Sequence, residues 1–265
     1  MNTVLKREVG MNDRIAKLRA QSVNTVPTLS IERAVLVTEA YQKYAGKVSV
    51  PILRALAFKH LMEHKTIVIN DGELIVGERG PAPQSAPTYP ELCCHSGEDF
   101  DVIDRREKIF FRVDEETKRI QREVIIPYWQ GKSMRELLFD QMTEKWKECY
   151  QAGIFTEFME QRAPGHTVGG DQYYKKGFLD FKEDIQKAMD SLDFLNDPEA
   201  YDKQEELKAM AIVCDGIIAF GRRHRELALE MAEKENDPVR KQELLEIAEV
   251  CGWVPAHAPR TFREA

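Results

Sequence analysis

The sequence contains no apolar run approaching the roughly 20 residues that a membrane-crossing helix needs, and its amino terminus lacks the charged-then-apolar order of a secretory leader. Both absences point to a cytoplasmic protein. Positive charge is not in excess either: 38 Lys and Arg face 45 Asp and Glu, giving a formal net charge of -7. With a pI near 5.5, nucleic acid and anionic membrane surfaces are disfavoured as partners, because either requires a concentrated basic face. A small molecule or another protein remains. Cysteine is sparse and unpatterned, since Cys93, Cys94, Cys149, Cys214 and Cys251 are odd in number and show neither a disulfide framework nor a zinc spacing. His60 and His64 stand at i, i+4 without a third ligand nearby, so no metal site is expected. Internal repeats and low-complexity linkers are missing as well, which favours one unit over two domains.

What is present is globular in composition: 265 residues, 43% hydrophobic and 31% charged, enough to bury a core. Helix signals dominate. Ser30 can cap a helix with Ile31, Ala34, Val35, Thr38 and Tyr41 on one stripe and Gly46 at its end. Pro51 fits the first turn of a second helix whose apolar face carries Leu53, Leu56, Ala57, His60 and Leu61. Ser133 and Glu136 make a capping box for a segment through Met142, and Thr143 starts a further helix bearing Trp146 and Tyr150. Longer helices are expected at about 177 to 193, 199 to 234 and 238 to 250, broken at Asp197-Pro198 and Asp237-Pro238. The only strands expected are TIVIN (66–70) and ELIVGE (73–78), joined through Asp71-Gly72 as a hairpin. RGPAPQSAPTYP (79–90) has too many prolines for either regular element and is expected to run extended. The predicted fold is therefore mainly α with a small β-hairpin.

One segment does not read as a plain connection. FTEFMEQRAPGHTVGGD (155–171) begins with Phe155, Phe158 and Met159 at helical spacing, breaks at Ala163-Pro164-Gly165, and then places His166 and Asp171 on irregular backbone. Such a run is either a buried crossing, where glycines let chains approach closely, or the wall of a pocket. At the other end, VPAHAPRTFREA reads as a cap at Thr261 followed by a single helical turn. One turn does not sustain itself, so the sequence reads as interrupted at the entrance to its next helix.

These residues resemble the glycyl radical enzymes, the group that contains pyruvate formate-lyase and the radical dehydratases. SIERAVLVTEAY, PILRALAFKHLM, DGELIVGERG, APTYPELCCH, FTEFMEQRAPGHTVGGD, YYKKGFLDFKEDI and PAHAPRTFREA occur in the family's order from about residue 12 onward. The IERA helix and the DGELIVG stretch look shared by many members. The 155–171 run looks narrower and is most similar to members that remove water from a hydroxylated proline ring. The resemblance implies that residues 1–265 are the amino-terminal helical part of a longer chain folded around a ten-stranded α/β barrel, homodimeric when full length. It implies a radical cysteine loop and a carboxyl-terminal glycine loop, neither of which this sequence contains. A separate activase using S-adenosylmethionine and an iron-sulfur cluster would install the glycyl radical, leaving no cofactor on this chain.

For the site, the resemblance implies Phe158 against the substrate ring and His166 in polar contact near the leaving hydroxyl, so the pocket reading is preferred here. Arg162 and Asp171 are expected to hold the run in place. Cys93-Cys94 mimics the adjacent cysteines of pyruvate formate-lyase but stands in the wrong context, PELCCHSGEDF, and is expected to be packing. His95 beside it is expected to be structural. Rival readings are a family member acting on a diol, a sulfonate or a keto acid, and a non-catalytic assembly or binding partner.

Overall fold

The computed structural model describes residues 12–154 and 169–265. The order is α1 (Asp13–Asn24), β1 (Thr28–Ser30), α2 (Glu32–Tyr44), α3 (Val50–His64), β2 (Ser85–Pro87), α4 (Gly97–Arg105) and α5 (Glu115–Ile120). A π-helical turn (Gln121–Ile125) runs on into α6 (Ile126–Trp129). Then come α7 (Met134–Gln141), α8 (Glu144–Gln151), α9 (Gln172–Lys175), α10 (Phe178–Asp190), α11 (Ala200–Lys234) and α12 (Pro238–Trp253). Helix ends fall where local chemistry puts them. Ser133 and Glu136 form the capping box of α7, Thr143 caps α8, and Asp237 caps α12 with Pro238 in its first turn.

The spine is α11, 35 residues and so about 52 Å long at 1.5 Å per residue. Apart from Cys214 and His224, its buried positions are alanine or glycine, among them Ala209, Gly216, Ala219, Gly221, Ala228 and Ala232. That lets α3, α10 and α12 lie close against it. Helix α3 is held between α2 and α11, so its buried residues are Ile52, Ala55, Ala57 and Leu61. Of the stripe expected from spacing, Ala57 and Leu61 are buried while Leu53, Leu56 and His60 are only half-buried, because two neighbours rather than one decide the faces. A second core joins α2 to the 115–129 rod. Phe100, Ile125 and Trp129 are buried there with Ala34 and Val37, and Trp129 Nε1 donates to Thr38 Oγ1 at 2.8 Å.

The expected hairpin is not what forms. Among the described residues, 66–70 and 73–78 carry no strand, although Asp71-Gly72 does make a turn. Side chains take the backbone groups that a ladder would have used. Arg240, buried on α12, donates to Glu73 O at 2.7 Å and Asn70 O at 3.2 Å, while Lys65 Nζ donates to Glu78 O at 2.9 Å and Arg79 O at 3.1 Å. Asn70 is closed onto Glu73 through its backbone N–H at 2.8 Å. The two strands present lie elsewhere and are parallel, with Thr28 opposite Ser85 and Ser30 opposite Pro87. Parallel pairing needs a long crossover, and α2 and α3 supply it. The proline-rich run 79–90 thus contributes a strand, and Ser30 closes β1 as well as accepting from Glu32 N at 3.3 Å.

Arg240→Ala is expected to lower the stability of the chain by about 2 to 3 kcal/mol, since two carbonyls and part of Glu243 lose their buried partner. Arg240→Lys, which cannot fork between two carbonyls, should recover only part. Urea unfolding measures both, and an unchanged midpoint for Arg240→Ala would show that the 66–79 loop holds its shape without the staple.

Candidate active site

Phe158, Arg162 and His166 lie outside the described residues, which flank their run at Ile154 and Gly169. The amino-terminal end is the close of α8, where Gly153 N donates to Tyr150 O at 3.0 Å and Ile154 N to Cys149 O at 3.1 Å, sealing the last carbonyls of the helix. At the carboxyl-terminal end Gly169 (φ 92°) and Gly170 (φ 52°) are both left-handed, a pairing of conformations that side chains disfavour. Gln172 N then donates to Gly169 O at 3.0 Å and starts α9. Asp171 forms an ion pair with Lys175 one turn on, a local holding role.

Behind that end stands an aromatic group. The Tyr173 ring lies 6.1 Å from Phe178 and 5.9 Å from Phe181, and these two are 5.7 Å apart. Phe178 N donates to Pro255 O and Leu179 N to Ala256 O, both at 3.0 Å, which fixes the start of α10 to the chain after α12. Gly177 permits this contact: a Cβ there would fall 2.3 Å from Ala256 O.

The three rings form one wall of an open cavity of about 780 Å³, faced by Phe58 and Arg54 of α3 and by Met210 and Cys214 of α11. Asp184 at its rim is held below the usual carboxylate range by Lys176. Burial pushes the Cys214 thiol up. A thiol so shifted is a weak nucleophile at neutral pH. The sequence reading missed the cavity. Phe178, Phe181 and Ile185 are visible as one helical stripe, but the cavity exists only where α3, α9, α10 and α11 meet.

The other sequence candidates are dispersed. Cys94 is half-buried against the α2 core, and burial pushes its thiol up to about 11. Gln121, on the π-helical turn, lies 3.9 Å from Cys94 Sγ and donates to His95 O at 2.6 Å. His95 itself is 3.5 Å from Asp99. His60 meets Glu39 at 3.1 Å, and the His64 ring lies 4.2 Å from it with Nδ1 on the His60 carbonyl. Among the described residues no helix is long and apolar enough to cross a membrane.

A family model described as pyruvate formate lyase-like matches residues 11–265. The chain belongs to that family. Among pyruvate formate lyase-like proteins it is 55% identical, over 256 residues, to trans-4-hydroxy-L-proline dehydratase of Clostridioides difficile, covering 97% of this chain and 32% of the relative. It is 32% identical to isethionate sulfite-lyase of Nitratidesulfovibrio vulgaris, covering 96% of this chain and 32% of that one. The solved structure of the Clostridioides difficile hydroxyproline dehydratase with trans-4-hydroxy-L-proline bound superposes with a TM-score of 0.92 over 96% of this chain and 32% of that chain, at 55% identity. A glycyl radical enzyme from Archaeoglobus fulgidus gives 0.82 at 34% identity, over 95% and 32%. The chain thus spans about a third of the length of these relatives, and it is their mostly helical portion.

Cys94 is expected to resist alkylation. With its thiol ionising near 11, modification by iodoacetamide should be negligible at pH 7 and rise through pH 10 to 11. Mass mapping after timed alkylation reads this directly, and fast labelling of Cys94 at pH 7 would overturn the packing assignment.

Proposed function

We propose that this chain is the amino-terminal third of a glycyl radical dehydratase that removes water from trans-4-hydroxy-L-proline to give a pyrroline carboxylate. The observation that carries the reading is 55% identity over 97% of the chain to an enzyme of that name, against 32% to a sulfite-lyase of the same family. Residues 1–265 are in this reading the helical part of one pyruvate formate lyase-type domain. The remaining two thirds bring the radical cysteine and glycine loops, and the glycyl radical is installed there by an activase that uses S-adenosylmethionine and an iron-sulfur cluster. The enzyme is cytoplasmic and anaerobic, and is a homodimer when full length.

Loss of water breaks the C–O bond at the ring hydroxyl, and the departing oxygen takes a proton as it leaves. His166 is the donor, because an imidazole can be tuned to hold a proton near neutral pH and release it to a leaving group. Phe158 packs on the substrate ring and sets pocket shape. Both assignments come from the similarity of the 155–171 run. What supports them among the described residues is that α8 closes in a capped turn just before the run and that Tyr173, soon after it, is braced on Phe181.

Two experiments test the reading. The 265-residue chain alone, treated with a competent activase and S-adenosylmethionine under anoxia, is expected to show no glycyl signal by electron paramagnetic resonance. A doublet assigned to this chain would end the fragment reading. In the full-length enzyme, His166→Gln is expected to cost about 10²-fold in product formation, with less effect on deuterium exchange into recovered substrate, which reports hydrogen abstraction. Phe158→Ala should instead weaken binding and relax selection between hydroxyproline and smaller alcohols. Wild-type rates for both processes in His166→Gln would return 155–171 to the status of a structural crossing.

A further inference from the structure

A stripe of α11 and a stripe of α12 line one cavity. Ile218, Arg222, Arg225 and Leu229 are four, three and four residues apart on α11, and Leu245, Glu249 and Gly252 are four and three apart on α12, so each set lies on a single helix face. The cavity measures about 630 Å³, and the chain leaving α12 adds Trp253, Pro255 and Arg260 to its lining. That volume is within the range of small-molecule sites. The added segment is held in shape, since Trp253 Nε1 donates to Ala258 O at 2.9 Å and the His257 ring stacks on the indole at 4.2 Å.

The charged groups of this lining are three arginines and one glutamate, in a chain whose net charge is -7. Arg260 is occupied: it lies over the Trp253 ring at 4.3 Å and pairs with Glu264. Arg222 stands 3.7 Å from Glu226 one turn on, an exposed pair that contributes little in water. Arg225 has no carboxylate or carbonyl partner among the described residues. Its stem is nevertheless seated. A Cβ at residue 252 would fall 2.7 Å from Arg225 Cδ and 3.0 Å from Nε, so Gly252 is what lets the stem lie along α12. A guanidinium with a packed stem and unused donors is preorganised for an anion, because its side-chain freedom is already restricted.

We propose that the α11–α12 cavity binds an amphipathic monocarboxylate, its head forked onto the Arg225 guanidinium with Arg222 one turn away and its apolar body on Ile218, Leu229 and Leu245. Charge and shape select this class. A carboxylate accepts two parallel N–H bonds from one guanidinium, and the leucines and isoleucine offer the remainder of the ligand nothing but apolar surface. A dianion is disfavoured, because Glu249 on the α12 side of the same cavity repels the second charge. The inference does not depend on the dehydratase reading, and no residue of 155–171 enters it.

The test titrates the full-length enzyme with octanoate, octylammonium and 1-octanol by isothermal calorimetry. Octanoate is expected to bind saturably, and the other two to bind at least about 10-fold more weakly, the worth of one charge-assisted pair. Arg225→Gln should weaken octanoate by about 10- to 100-fold, and Arg225→Lys, which keeps the charge without the fork, should fall between. Gly252→Ala keeps every charge but crowds the Arg225 stem, so it should weaken octanoate as well; it replaces Arg225→Gln where that variant melts early. No saturable binding of octanoate, equal binding of octanoate and octylammonium, or binding unchanged in these variants would each overturn the site. Inorganic phosphate displacing octanoate at equal concentration would overturn the choice of a monocarboxylate.

Discussion

Close approach of three helices to α11 is the constraint on which the rest of this chain depends. Because Ala209, Gly216, Ala219 and Ala228 replace larger side chains on its buried faces, neighbouring backbones come near enough for side chains on one helix to complete the ends of another. Arg223 shows the consequence. From α11 it donates to Met62 O at 2.8 Å and Lys65 O at 2.7 Å, satisfying carbonyls at the end of α3 that no intrahelical donor can reach. Lys65, placed by that contact, turns its ammonium onto the carbonyls of Glu78 and Arg79. Burial lowers the pKa of Lys65, and the two carbonyls together with the Phe220 ring 5.1 Å away compensate the buried charge.

A line of dependence therefore runs from α11 through the end of α3 to the 66–79 loop, which Arg240 secures from the other side. This line explains why local patterning misled at one place and succeeded at others. Alternating apolar residues in TIVIN and ELIVGE, with Asp-Gly between them, satisfy every local rule for a hairpin. The rule supposes that backbone groups have only one another as partners. Here Arg240, Lys65 and Glu73 are nearer, and the ladder is never needed. By contrast, α7, α8, α10 and α12 begin where their caps or prolines put them, because those determinants lie within four residues of the end they fix.

The candidate site divides along the same line. Its chemistry was legible as residue types in one run of sequence, and the family's pattern gave Phe158 and His166 their proposed roles. The cavity and the aromatic brace were not legible, because Tyr173, Phe58 and Met210 come from three helices whose meeting is a tertiary fact. Gly169 and Gly170 fall between: two adjacent glycines announce unusual backbone, but the ring beneath them is visible only in the fold.

That division has a physical reason. A proton donor acts over hydrogen-bond distances, so the chain that presents it must be irregular enough to reach a reacting group yet fixed to within a fraction of an ångström. Helices supply fixity and loops supply reach. In this chain the join is made by glycines, which let the backbone turn sharply, and by a ring that makes the turned conformation the one that packs. A purely local solution, such as the Asp171–Lys175 ion pair, is exposed on both sides and contributes little to holding a loop in water. An aromatic surface braced against α10 does not weaken with salt, so the seat of Gly169 is tied to the packing of α10 on α11 rather than to an exposed ion pair.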